Sequence, residues 1–217
     1  MLDGVMRRLI DPPLDRMGAI LARAGVGADA ITIAGLAFGL ACSAAIAVSA
    51  DAVALAMLAL SRLCDGLDGA VARASAKTDR GGFLDIVFDF VFYGAVPLGF
   101  ALRDPAAFGL PAAVILFAFY VNGASFLAFA AVAAKRGMET ATRGIKSIYF
   151  TAGLAEGTET ILAFALMILV PDWFPIIAYA FAGLTAMTAI SRIAFAYVLF
   201  RDEEDGAGEG DGGGGAP

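Results

Sequence analysis

The sequence predicts an all-α membrane protein with six transmembrane helices, preceded by an amphipathic helix in the membrane interface. Three observations support this prediction. The chain is 60% hydrophobic and has a mean hydropathy of +0.81, whereas soluble domains are closer to half apolar. Uncharged runs of about 20 residues recur, and this length crosses the hydrocarbon core of a bilayer. Lys and Arg are concentrated in alternate connecting segments.

The segment before the first span is predicted to be the interfacial helix. Apolar residues recur at helical spacing from Leu14 to Ala24, while Arg16 and Arg23 fall elsewhere on the turn. Such a pattern is typical of a helix at the membrane surface, and a simple positive anchor is the alternative. The six spans are predicted at residues 30–50, 52–73, 82–102, 111–134, 148–170 and 173–200.

The second span carries charge near its end. Only 13 residues run from Ala52 to Cys64, and they include Arg62. This stretch is too short to cross a bilayer alone, so the helix is expected to continue through Asp65 and Asp68. Carboxylates drawn into or next to a membrane are costly, and they persist where they are partnered or functional.

The distribution of basic residues predicts the orientation. With the N-terminus inside, the outer loops hold only Arg103. The positive-inside rule therefore places both termini, and the aspartates at the end of the second span, on the cytoplasmic side. The twelve basic residues on that side are Arg7, Arg8, Arg16, Arg23, Arg73, Lys77, Arg80, Lys135, Arg136, Arg143, Lys146 and Arg201.

Composition also limits the chemistry. The chain has no histidine, which excludes Ser-His-Asp and Cys-His catalysis and HExxH zinc sites. Cys42 and Cys64 lie in apolar segments and are interpreted as small core residues. Residues 202–217 contain six acids and no base. This Gly-rich tail is predicted to be disordered, which leaves one membrane-embedded domain at residues 1–201.

Four aspartates are expected to converge. Asp65 and Asp68 are three residues apart on one predicted helix, and Asp85 and Asp89 are four apart on the next. Each spacing places a pair on one helical face, and a short loop makes the two helices antiparallel neighbours. Clustered carboxylates repel one another unless cations are present. Oxygen ligands without His or Cys favour Mg²⁺ or Mn²⁺, and two such ions form the usual clamp for displacement at phosphorus.

Glycines beside these aspartates are consistent with a phosphate ligand. Gly66 and Gly69 have no side chain, so a phosphate group can approach the helix closely. Arg73 can donate two hydrogen bonds to a phosphate oxygen. The alternative is that the DGLDG segment is an ordinary turn between helices. Together these residues predict phosphoryl transfer near the inner membrane surface.

The same residues resemble the signature of the CDP-alcohol phosphotransferase family. The segment between Arg73 and Gly81 has seven residues, one fewer than is usual in that family. The six-span layout is also the family's, so the resemblance covers nearly the whole chain apart from the tail. The matching positions are Asp65, Asp68, Gly69, Ala72, Arg73, Gly81, Asp85 and Asp89.

The resemblance implies a role for each aspartate. Asp65, Asp68 and Asp85 would bind two Mg²⁺ or Mn²⁺ ions, with Asp65 and Asp85 touching both. Asp89 would bind the second ion and act as the general base. The acceptor hydroxyl would attack the phosphorus that bears the CDP-linked group, and CMP would leave.

The resemblance also implies contacts to the nucleotide. Gly69 and Arg73 would contact the CDP diphosphate. The family has a Pro-Asn-x-hydrophobic-Thr element at the start of the first span, and residues 28–32 match it only in part. The residues assigned to the cytidine are Asp29, Ile31 and Thr32 from this element, and Thr78 and Asp79 from the following loop.

Two further groups of residues are candidates for binding the acceptor. Lys135, Arg143 and Lys146 lie in a basic segment that either anchors the chain or forms a pocket for an anionic acceptor, such as a phosphorylated polyol. Glu156 and Glu159 lie inside a span. They either pair with an intramembrane arginine (Arg62 or Arg192) or bind a polar or cationic acceptor.

The sequence therefore predicts an enzyme that transfers a substituted phosphate, phosphatidyl from CDP-diacylglycerol, to an alcohol in phospholipid biosynthesis. The expected partners are a CDP-linked lipid donor, an alcohol acceptor and membrane lipids, with no nucleic acid, and the family suggests a homodimer. An intramembrane prenyltransferase and a cation transporter are the alternatives. Prenyltransferases space their aspartate motifs farther apart, and transporters would usually contain paired repeats.

Overall fold

The computed structural model describes residues 3–137 and 157–208, with side chains from residue 10 to residue 201 within those ranges. These residues form helices and one short 3₁₀ turn, Pro171–Trp173, and no strand occurs among them. The helices are α1 (Asp3–Arg23), α2 (Ala28–Ala47), α3 (Asp51–Ala74), α4 (Asp79–Arg103), α5 (Pro105–Lys135), α6 (Gly157–Leu169) and α7 (Phe174–Gly208). The all-α prediction is confirmed for the described residues.

Among the described residues, four helical segments are long and apolar enough to cross a membrane. They are α2, α4, α5 and residues 171–201 of the 3₁₀ turn and α7. α3 has 24 residues but carries the charged residues of the aspartate cluster in its second half. α6 has 13 described residues, and residues 148–156 of the predicted fifth span lie outside the described residues. The count of six spans therefore stays a prediction.

The helices pack through interlocking side chains and small residues. α2 packs against both α3 and α4. α4 also packs against α5, and α5 packs against α7. Buried aromatic rings fill the centre of this bundle, with Phe100 stacked on Phe174 at 4.2 Å between ring centroids. In a bilayer such contacts supply most of the association energy, because lipid is as apolar as the side chains.

The turn between α3 and α4 fixes one end of the bundle. Residues 75–78 connect the two helices, and the Thr78 side chain accepts a hydrogen bond from the Gly81 N–H at 3.0 Å, which caps α4. Arg80 forms an ion pair with Asp29 at 2.5 Å, so the first turns of α2 and α4 lie together. At the opposite end, Arg103 pairs with Asp51. α3 and α4 therefore run antiparallel, but the expectation that they pack as neighbours is wrong, because α2 packs against both of them and few residues of α3 and α4 approach each other closely.

α1 packs against the second half of α3. Leu14 is buried and occupies the space beside Gly66, where an added Cβ would lie 2.6 Å from the Leu14 Cδ1. Gly18 similarly allows α1 to approach Ala70. The expectation that Gly66 is open to a phosphate is therefore wrong, because α1 fills that position.

α7 extends beyond the last predicted span. Its described backbone continues to Gly208, so the first seven residues of the tail, 202–208, are helical where the sequence predicted disorder. Residues 209–217 lie outside the described residues.

Candidate active site

The antiparallel arrangement of α3 and α4 brings three carboxylates together. One carboxylate oxygen from each of Asp65, Asp85 and Asp89 lies within 4.8 Å of the others. Asp65 is on α3 and the other two are one turn apart on α4, so a single helical face from each helix forms the cluster. The structure thus places these three predicted site residues side by side.

Asp68 lies at the same cleft but outside that group of three. It is buried, with 7% of its surface exposed, and it lines a narrow cleft together with Thr32 of α2 and the three clustered aspartates. α2 therefore forms one wall of the cleft. Thr32 itself donates a hydrogen bond to the Ala28 carbonyl oxygen.

The donor set of this cleft fits a hard divalent cation. All of its charged ligand atoms are carboxylate oxygens, and three of them already lie close enough to share one ion. Mg²⁺ and Mn²⁺ prefer oxygen ligands of this kind, whereas zinc sites usually include His or Cys. Asp65, Asp85 and Asp89 are the residues that would hold the ion.

A guanidinium group lies among these carboxylates. Arg62 of α3 places Nη1 3.2 Å from the Asp89 Oδ1 and 3.5 Å from the Asp65 Oδ1. The guanidinium carbon lies 4.0 Å from the centroid of the Phe92 ring. Arg62 thus joins α3 and α4 across the cleft and offsets part of the negative charge.

A larger cavity adjoins the carboxylate cluster. Its volume is about 530 Å³, and it lies among α4, α5, α6 and α7. Its walls include Tyr93, Phe119 and Tyr120, with Asp89 at one edge. Asp89 therefore lines both the cleft and the cavity.

Arg192 of α7 supplies a charge to the wall of this cavity. Only 7% of its surface is exposed. Its Nη1 donates to the Asn122 carbonyl oxygen at 3.1 Å, the Asn122 Oδ1 at 2.9 Å and the Ser125 Oγ at 3.1 Å. Its Nε is buried and has no hydrogen-bond partner among the described residues. Arg192 is thus held by neutral oxygens, with no described carboxylate beside it.

The fold and the aspartate pattern agree with a known family. Residues 26–191 match the family model described as CDP-alcohol phosphatidyltransferase. The chain belongs to the CDP-alcohol phosphatidyltransferase family. It is therefore a phosphotransferase, and membership of this family leaves no support for the prenyltransferase and transporter alternatives.

Two curated proteins are similar to this member of the CDP-alcohol phosphatidyltransferase family. The inner membrane protein YnjF of Escherichia coli is 43% identical over 201 residues, which are 93% of this chain and 98% of that protein. An archaetidylinositol phosphate synthase of Pyrococcus horikoshii is 32% identical over 98 residues, 45% of this chain and 52% of that protein. The apolar helices and the likeness to an inner membrane protein make this chain an integral membrane protein.

A solved structure has the same fold. The Mycobacterium tuberculosis phosphatidylinositol phosphate synthase PgsA1, solved with CDP-DAG bound, aligns with a TM-score of 0.67 and 20% identity. The alignment covers 85% of this chain and 93% of that one. At this identity the likeness supports the family fold and leaves the ligands to be argued from the residues.

The family's nucleotide contacts are only partly assembled in this structure. An added Cβ at Gly69 would meet only the Arg73 Nη1, at 3.4 Å, so the helix is open at this position. Arg73 donates from Nε and Nη2 to the Asp15 Oδ1 of α1, at 3.1 and 2.7 Å. A CDP diphosphate would have to share this arginine with Asp15.

The residues assigned to the cytidine fall into two groups. Thr32 lines the carboxylate cleft, and Asp29 lies beside Gly81 at the start of α4, paired with Arg80. Ile31 is buried in the small core between α1, α2 and α3, so its side chain has a packing role. Thr78 caps α4 through its side chain, and Asp79 is exposed in the first turn of that helix.

Of the five residues predicted to bind the acceptor, Lys135 and Glu159 are among the described residues. Lys135 is exposed in the last turn of α5 and is not among the described residues that line the cavity. Glu159 is in the first turn of α6. Arg62 contacts Asp65 and Asp89, and Arg192 contacts Asn122 and Ser125; the pairing of Glu159 with one of these arginines stays a prediction. Arg143, Lys146 and Glu156 lie outside the described residues.

Sequence reasoning missed several site residues. Asn122 and Ser125 have no distinguishing pattern within the apolar α5, and only the fold places them at Arg192. Arg62 did carry a signal, since it lies three residues before Asp65 and therefore on the same helical face. Asp15 belongs to α1, and nothing in its local sequence indicates that it would reach Arg73.

Proposed function

We propose that this enzyme transfers a phosphatidyl group from CDP-diacylglycerol to an alcohol, and that Asp65, Asp68, Asp85 and Asp89 hold two divalent cations. The position of Asp89 is the observation that carries this proposal, because this carboxylate lines both the cleft of aspartates and the cavity beside it. A donor phosphate in the cleft and an acceptor hydroxyl in the cavity would then meet at Asp89.

The transfer is a displacement at phosphorus. The acceptor oxygen forms a bond to the phosphorus that carries diacylglycerol, and the bond from that phosphorus to the bridging oxygen of the diphosphate breaks. CMP leaves with the electron pair, and the hydroxyl proton passes to Asp89. Divalent cations, when bound, neutralise the charge that develops on the phosphate oxygens. Gly69 and Arg73, which follow Asp68 on α3, would contact the diphosphate.

The acceptor is expected to carry negative charge. Arg192 is buried at the cavity wall and is held only by neutral oxygens among the described residues. A guanidinium in such a place is costly unless an anion reaches it. A phosphorylated polyol would supply both this anion and the attacking hydroxyl. Two of the similar proteins are an archaetidylinositol phosphate synthase and a phosphatidylinositol phosphate synthase, and their names support this class of acceptor.

The proposed arrangement in the membrane has six spans. α3 and the predicted fifth span, residues 148–170, would add two spans to the four apolar ones. Both termini and the aspartates would lie on the cytoplasmic side, and α1 would lie in the membrane interface. The domain would end near residue 201, before the acidic tail. The chain would act as a homodimer, as the family resemblance suggests.

The direct test is CMP release by the purified chain. The protein is incubated with Mn²⁺ or Mg²⁺, CDP-diacylglycerol and, in parallel, inositol phosphate, glycerol phosphate, inositol, glycerol or serine. We expect CMP release with a phosphorylated polyol and none with Asp85→Asn. The Arg192→Gln variant should raise the KM for the phosphorylated acceptor by roughly tenfold or more, which corresponds to one lost charge-assisted contact.

Two outcomes would contradict parts of the proposal. Release of CMP with none of the alcohols would refute transfer from CDP-diacylglycerol. Equal rates with phosphorylated and unphosphorylated polyols, in both the wild type and Arg192→Gln, would refute an anionic acceptor while leaving the transfer reaction intact.

A further inference from the structure

Arg62 is held in a fixed position at the carboxylate cleft. Its Nη2 donates to the Ser61 Oγ at 3.1 Å, and that hydroxyl donates to the Gly35 carbonyl oxygen of α2 at 2.9 Å. The guanidinium also lies on the Phe92 ring, and only 18% of the side chain is exposed. Arg62 therefore contacts α3 and α4 directly and α2 through the Ser61 hydroxyl, and these contacts together hold it in the cleft.

The fixed guanidinium contacts the site on two sides. Nη1 lies 3.2 Å from the Asp89 Oδ1 and 3.5 Å from the Asp65 Oδ1. Both carboxylates belong to the group of three that can share an ion with Asp85. Arg62 therefore occupies acceptor positions on two of the three carboxylates that a divalent cation would also use.

We propose that Arg62 is a built-in cation of this active site, which positions the Asp89 carboxylate and limits the affinity of the aspartate cluster for divalent metal. This inference rests on the proposed function for its catalytic part only. The hydrogen bond from Arg62 holds the Asp89 carboxylate between the cleft and the cavity, where the acceptor hydroxyl would arrive. Its charge partly offsets the carboxylates and repels a second cation placed beside them.

The proposal predicts opposite effects on metal binding and on turnover. Removing the charge should make the cluster bind Mn²⁺ more tightly, because one repelling cation is gone and two carboxylate oxygens are released. Transfer should become slower, because Asp89 is no longer held toward the acceptor. A residue that only stabilises the fold would weaken both properties when it is replaced.

The test compares Arg62→Gln, Arg62→Lys and a matched control. The control is Arg103→Gln, which removes an arginine paired with Asp51 at the opposite end of the same two helices. Mn²⁺ binding is measured on the full chain in detergent without nucleotide, from the electron paramagnetic resonance signal of free Mn²⁺. The kcat and KM for CMP release are measured in parallel.

We expect Arg62→Gln to bind Mn²⁺ roughly tenfold more tightly and to lose at least about tenfold in kcat, with little change in the KM for the donor. Arg62→Lys retains the charge, so its Mn²⁺ affinity should stay within about threefold of the wild type. Arg103→Gln should leave the Mn²⁺ affinity unchanged.

Weaker or unchanged Mn²⁺ binding by Arg62→Gln would overturn the proposal, and so would an unchanged kcat. The Mn²⁺ measurement uses no substrate. If the wild type releases no CMP with any acceptor, the proposed function fails, while the metal isotherms still decide whether Arg62 acts as a built-in cation.

Discussion

Asp89 differs from the other aspartates in what it faces. Asp65, Asp68 and Asp85 line the cleft only, whereas Asp89 also borders the 530 Å³ cavity. It lies one helical turn beyond Asp85, toward the centre of the bundle. This placement suits a general base, which must reach the hydroxyl of the acceptor as well as the reacting phosphate.

The two aspartates of α4 should therefore give different phenotypes. Asp89→Asn should lose roughly 10²–10⁴-fold in transfer rate yet still bind CDP-diacylglycerol in the presence of metal. Asp85→Asn removes a carboxylate that faces the cleft alone, so it should lose both binding and transfer. For each variant, the binding isotherm for CDP-diacylglycerol and the rate of CMP release are measured and compared.

Either of two results would remove Asp89 from the role of base. Near wild-type transfer by Asp89→Asn would show that another group accepts the proton. Complete loss of donor binding in this variant would instead mean that Asp89 serves mainly as a ligand.

At the scale of the elements, small residues set the distances between helices. An added Cβ at Gly99 of α4 would lie 2.6 Å from the Ser43 carbonyl oxygen of α2. The Ser43 hydroxyl also donates to the Ala95 carbonyl oxygen of α4, so the two helices are in contact through their backbones. Because α2 forms one wall of the carboxylate cleft, this close approach also positions Thr32 against the aspartates.

A matched pair of glycine substitutions tests this contact. Gly99→Ala should lower the stability by about 1–3 kcal/mol, because the neighbour is backbone and cannot move aside. Gly183→Ala in α7 has no atom within 4 Å of the added Cβ, so it should be neutral or stabilising by up to about 1 kcal/mol through helix propensity. The midpoint of thermal unfolding in detergent, followed by Trp173 fluorescence, measures both.

Equal effects of the two substitutions would contradict the packing explanation. Gly99→Ala should also lower the affinity for Mn²⁺, since widening the α2–α4 contact disturbs the cleft, whereas Gly183→Ala should leave it unchanged.

At the scale of the whole molecule, the two ends of the helix bundle carry different charged residues. The aspartates, the α3–α4 turn and the Asp29–Arg80 pair lie at one end, and the Asp51–Arg103 pair lies at the other. The distribution of Lys and Arg predicts that the first end is cytoplasmic. Under the proposed function, the phosphorylated acceptor would then reach the site from the cytoplasm and CMP would leave to it, while the diacylglycerol chains remain in lipid.

Cysteine labelling tests this orientation. In a variant with Cys42 and Cys64 replaced by alanine, single cysteines are introduced at Ala76, which is exposed in the α3–α4 turn, and at Ala106, which is exposed in the first turn of α5. An impermeant maleimide should label the first only in inverted vesicles and the second only in intact cells. The reverse pattern would overturn the predicted topology.

Local patterns in the sequence determined much of this protein. Hydropathy predicted helices close to α2, α4 and α5, because the length of an apolar run is set by the thickness of the bilayer. The i,i+3 and i,i+4 spacings of the aspartates predicted a shared face, because 3.6 residues complete a helical turn. Both are properties of a single helix or of two connected helices, so they require no knowledge of the remaining chain.

The tertiary structure decided what depends on contacts between distant segments. Leu14 of α1 fills the space beside Gly66, Asp15 engages Arg73, and Ile31 is buried in a core; none of these follows from local spacing. The position of Asp89 between a cleft and a cavity requires α5, α6 and α7 to pack against α4. Arg62 was visible in the sequence as an isolated charge, but its role at the cluster appears only when α4 brings Asp89 within 3.2 Å of it.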